Sequence, residues 1–93
     1  MKAFLLIYSD SLGSREQVIK CLDSLSIVSL WRYDLPNSFY IISNQTAKIL
    51  AEKIREHFPG TSLFIVTEII DSWGWLTQES WHIIQNKARM PKS

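Results

Sequence analysis

Few residues in this chain have both the type and the placement to do chemistry. Asp10 stands just past the first apolar segment, AFLLIYS (residues 3–9), where a carboxylate at a strand end can hold Mg²⁺ with water and phosphate completing the shell. Such a site needs a second carboxylate. No other lies near Asp10 in sequence, but a two-fold axis would bring up the Asp10 of a second copy. The plainer role is an Asx turn leading into the next helix. His57 and His82 have no paired His, Cys or carboxylate at ligand spacing, which argues against a metal site. Ser9, Ser11 and Ser14 have no His beside them in sequence to activate a nucleophile. Gly13 alone makes no phosphate loop. Cys21 falls on an apolar helical stripe and reads as a small core residue.

Aromatic residues are the second candidate set: Trp31, Tyr33, Tyr40, Trp73, Trp75 and Trp81, with Tyr8 in the first strand. On a sheet they could stack on bases, as RNA-binding sheets do. The basic-glycine-aromatic run of such sheets is missing from SFYIIS, so packing in a core or an interface is the preferred role. Lys87, Arg89 and Lys92 could touch phosphates, although a solvated terminus is the default.

The elements that must position these residues follow from periodicity. In AFLLIYS, alternation puts Phe4, Leu6 and Tyr8 on one face and Ala3, Leu5 and Ile7 on the other, so the strand is apolar on both sides and belongs inside a sheet. Ser14 and Gln17 fit a capping box, and Val18, Cys21, Leu22 and Leu25 form the buried stripe of a helix ending near Ser24 or Leu25. Residues 27–34 read as an edge strand, with Ile27, Ser29, Trp31 and Tyr33 on one face and Val28, Leu30, Arg32 and Asp34 on the other. A turn at Leu35-Pro36-Asn37 leads into Ser38–Ser43, a strand again apolar on both faces. Ser43 or Asn44 is expected to cap a second helix with Ala47, Leu50, Ala51, Ile54 and Phe58 inside, stopped by Pro59-Gly60. Residues 61–70 read as the fourth strand. Thr77 is expected to cap a last helix carrying Trp81, Ile84 and Ala88, ended by Pro91.

The order is βαββαβ, and two right-handed crossovers predict an α+β, ferredoxin-like sandwich. Its antiparallel sheet would run 4-1-3-2, with both helices on one face and an aromatic helical extension over 71–90. The whole of 1–93 reads as one domain. The helix-free face would then carry side chains such as Phe4, Leu6, Tyr8 and Tyr40, although alternation cannot fix which set that is. An apolar face of that size needs a cover, either the tail or a second copy. A homodimer pairing through this face is the favoured arrangement.

Charge and composition narrow the partner. Ten basic and nine acidic residues leave a net charge of +1, which gives no global pull toward nucleic acid or an anionic membrane. One cysteine allows no intrachain disulfide and fits a reducing, cytoplasmic setting. The first apolar run is too short to span a membrane and lacks the flanks of a signal peptide.

Three segments taken together resemble a known family: Phe4 to Asp10, LWRYDLPNSFYII, and FIVTEIIDSWGWLTQESWHII. They are similar to small bacterial and phage-borne proteins labelled "SinR family". Those are similar in turn to the small ferredoxin-like subunit of the CRISPR adaptation complex and to VapD-type ribonucleases. The most specific part is Trp73-Gly74-Trp75-Leu76 with Trp81. The resemblance implies a homodimer with facing sheets and a metal-dependent nuclease ancestry whose metal-binding Asp would carry over to Asp10. In the CRISPR subunit that Asp directly follows the aromatic residue. Here Ser9 intervenes after Tyr8, which turns Asp10 to the opposite face of a regular strand. The reading favoured at this point is a non-catalytic homodimeric module that binds nucleic acid or protein and needs no cofactor. The alternatives are a Mg²⁺-dependent endonuclease using Asp10, and an antitoxin or immunity protein.

Overall fold

A computed structural model of the chain describes residues 1–58, 60 and 62–85. Seven elements follow in order: β1 (Lys2–Tyr8), α1 (Arg15–Ser24), β2 (Leu30–Arg32), β3 (Ser38–Ser43), α2 (Ala47–His57), β4 (Phe64–Glu68) and α3 (Gln78–Gln85). The strands form one antiparallel sheet in the order β2-β3-β1-β4, the expected order read from the other edge. Both two-sided apolar strands, β1 and β3, are central. All six residues of β3 are buried.

Alternation divides the sheet into two cores. Phe4, Leu6 and Tyr8 of β1 and Phe39 and Ile41 of β3 face α1 and α2, packing on Val18, Cys21, Leu22, Leu50 and Ile54. On the other face Ala3, Tyr40 and Ile42 pack on Ile83 and Ile84 of α3. Phe4, Leu6 and Tyr8 therefore lie under the two helices and not on the helix-free side; only Tyr40 of the four residues named for that side is there. Alternation says which side chains share a face, but the path of the crossovers decides which face the helices cover.

The caps show where local chemistry acted. Ser14 Oγ accepts from Gln17 N at 3.2 Å and Gln17 Oε1 accepts from Ser14 N at 2.8 Å, the expected capping box. α2 is capped by Thr46 and not by Ser43 or Asn44. Ser43 is committed elsewhere: its hydroxyl donates to the Ile27 carbonyl at 2.6 Å and accepts from Gln45 N at 3.0 Å. β2 is shorter than the expected 27–34. The chain is still turning after α1, with Leu25 N on Leu22 O and Val28 N on Leu25 O. β4 is likewise confined to Phe64–Glu68, and Thr61 lies outside the described residues, as do Pro59, Lys87, Ala88, Arg89, Pro91 and Lys92.

α3 is fastened at its first turn. Thr77 Oγ1 donates to Asp34 Oδ1 at 3.1 Å and accepts from Ser80 N at 3.4 Å, while Arg32 Nε donates to buried Ser80 Oγ at 3.3 Å. Arg32 at the end of β2 and Asp34 two residues beyond it thus hold a helix far along the chain. That helix covers Tyr40 and Ile42 of β3 and Ala3 of β1, and leaves Ile7 of β1 and Ile65 of β4 exposed on the same face.

Candidate functional site

Asp10 occupies an exposed turn after β1, where its carboxylate accepts from Asn37 Nδ2 at 2.7 Å. Asn37 adopts a left-handed backbone (φ 54°), and its carbonyl accepts from Tyr8 N at 3.0 Å. The pair ties the end of β1 to the turn before β3. Among the described residues no cluster of three or more His, Cys, Asp or Glu side chains is placed to hold a metal ion. Ser9 and Ser11 bond each other through their hydroxyls at 2.6 Å.

One contact was not visible in the sequence. Ser24 Oγ lies 3.0 Å from His57 Nε2, joining the ends of α1 and α2. The Ser24 proton already goes to the Cys21 carbonyl at 2.7 Å, so His57 must donate through Nε2. A histidine donating to its serine cannot also draw the proton from it, and the pair is a clasp between helix ends. Cys21 beside it is buried, and desolvation pushes its thiol up to about 11 from a usual 9.0, the opposite of a nucleophile's need.

The seven aromatic candidates separate into two groups. Tyr8 is a helix-side core residue stacked on Phe39 at 6.1 Å. Trp31 and Tyr33 lie on the same side, stacked at 6.4 Å with both edges meeting Phe39. Trp31 donates from Nε1 to Asp23 at 2.7 Å, and the Arg15 guanidinium sits 4.0 Å above the Tyr33 ring. These three are tied into packing and are not gathered with the other four.

Tyr40, Trp73, Trp75 and Trp81 come together on the opposite side. They line a groove of about 480 Å³ floored by Leu5 and Thr67 and bounded by α3 and the segment that leads to it. Trp73 and Trp75 remain 85% and 87% exposed. The Tyr40 hydroxyl is buried with no hydrogen-bond partner among the described residues. Burial, and then the negative charge of Asp34, raise its pKa above the usual 10.0. Next to the groove, Ile7 of β1 and Ile65 of β4 stand opposite each other in register, 46% and 58% exposed. Alternation placed Ile7 on a face with Ala3 and Leu5 but did not single it out as exposed, and Ile65 was not named. The missing signal was the extent of the cover that α3 supplies. Comparison with family models, with curated proteins and with solved structures finds no match for this chain.

Proposed function

We propose that this chain is a ferredoxin-like, homodimeric protein-binding module of the cytoplasm, without catalytic function, in which two copies pair through the uncovered part of the sheet. The observation that carries the reading is the facing pair Ile7 and Ile65, left exposed on a sheet face that α3 covers only in part. Each is already about half buried, so covering the remainder would contribute roughly 0.7–1.5 kcal/mol apiece. An isologous contact counts every such side chain twice. The resemblance to small proteins that pair sheet against sheet points the same way. A protein partner is preferred over nucleic acid because the charged residues lining the adjoining groove, Glu68 and Asp71, are both acidic.

Sedimentation velocity at micromolar concentration tests the reading. The chain is expected to run as a dimer and the Ile65→Lys variant as a monomer with an unchanged far-ultraviolet circular dichroism spectrum. A monomeric parent chain, or a variant that stays dimeric, overturns the pairing. Salt-sensitive retardation of labelled RNA or DNA by the parent chain would overturn the choice of partner.

A further inference from the structure

The groove beside the isoleucine pair has a charge pattern that pairing of two sheets does not use. Its walls are π surfaces: Tyr40 from β3, Trp81 from α3, and Trp73 and Trp75 from the intervening segment. The Trp73 and Trp81 rings stand 6.1 Å apart and are inclined by 43°, so their faces splay. Glu68 and Asp71 are its charged lining residues, and among the described residues no Lys or Arg lines it. The negative charge of Asp34 also acts on Tyr40. Ring faces and carboxylates all attract a cation, and the effects add. The buried Tyr40 oxygen, lacking a partner, offers an acceptor at the same place.

We propose that this groove binds a Lys or Arg side chain carried on an apolar segment of a partner polypeptide. The inference rests on the protein-binding reading, but not on the pairing of two copies. The exposure of Trp73 and Trp75 selects a polypeptide over a free small cation. Sites for small ligands enclose most of the ligand surface, whereas these indoles stand open. A polypeptide brings apolar neighbours of its own to cover them, and tryptophans in such settings carry a large share of binding energy.

The test is an array of random peptides probed with the labelled full-length chain. Bound peptides are expected to be enriched in Lys or Arg flanked by apolar residues. Replacing the basic residue of the best peptide with Gln should weaken binding about fivefold or more, as should the double variant Glu68→Gln, Asp71→Asn. Added salt should weaken the parent interaction more than the neutralised one. No binding, no basic enrichment, or equal binding by the double variant overturns the proposal. So does a shift in tryptophan emission with tetramethylammonium chloride at the concentrations where the best peptide acts, since the ligand would then be a free cation. Displacement of the peptide by an RNA oligonucleotide overturns it as well. If Ile65→Lys stays dimeric while the basic enrichment holds, only the pairing reading fails.

Discussion

At the scale of single residues, the groups with the most reactive names are committed to structure. Asp10 accepts from Asn37, Ser24 donates to a backbone carbonyl, and Cys21 is desolvated in the core. For Cys21 this has a measurable sign. Its thiol holds its proton to about pH 11 in the folded chain but releases it near 9.0 when unfolded. Its contribution is therefore complete below pH 9 and is lost as pH rises from 9 to 11. Thermal melting across that range should show the parent chain losing more stability than Cys21→Ala; parallel curves would mean the thiol titrates normally. The core role of Cys21 was legible from helical spacing alone. The Ser24–His57 contact was not, because 33 residues separate the partners and only the packing of α1 on α2 closes the distance.

Among the elements, the sequence is most readable where a few adjacent residues decide the outcome. The Ser14–Gln17 box is such a place, and Gly13 just before it adds a constraint that composition alone does not reveal. Gly13 has φ +155°, and a β-carbon there would sit 2.6 Å from Gln17 Oε1, the atom that accepts from Ser14 N. Gly13→Ala should cost about 1–2 kcal/mol in urea unfolding, from backbone strain together with loss of the box. Gln17→Ala, which removes the box without the strain, should cost less; equal losses would assign the whole effect to the cap. Element boundaries were less legible. The cap of α2 passed to Thr46 because a tertiary bond to Ile27 engages Ser43, and β2 lost Ile27 and Val28 to the turn that follows α1.

For the whole molecule, the order of the sheet was legible because two strands apolar on both faces had to be central. Which face the helices cover was not, and this decided the fate of the aromatic candidates. Tyr8, Trp31 and Tyr33 went to the helix side, while Tyr40, Trp73, Trp75 and Trp81 were assembled by α3. The docking of that helix depends on Arg32 and Asp34, whose common face was readable but whose partners lie more than 40 residues away.

The complete burial of β3 has a further consequence, for the order in which the protein comes apart. Flanked by β1 and β2 and roofed on both sides, Ser38–Ser43 keeps the amides that bond to central β1 paired even when the short edge strand β2 frays. In deuterium oxide the amide protons it shares with β1 should be the last to exchange, at a rate set by global unfolding, while those of β4 at the sheet edge exchange through smaller openings. Equal protection of the two strands would show that the sheet opens only as a unit. With β3 as the last segment to let go, damage anywhere along it reaches both cores at once.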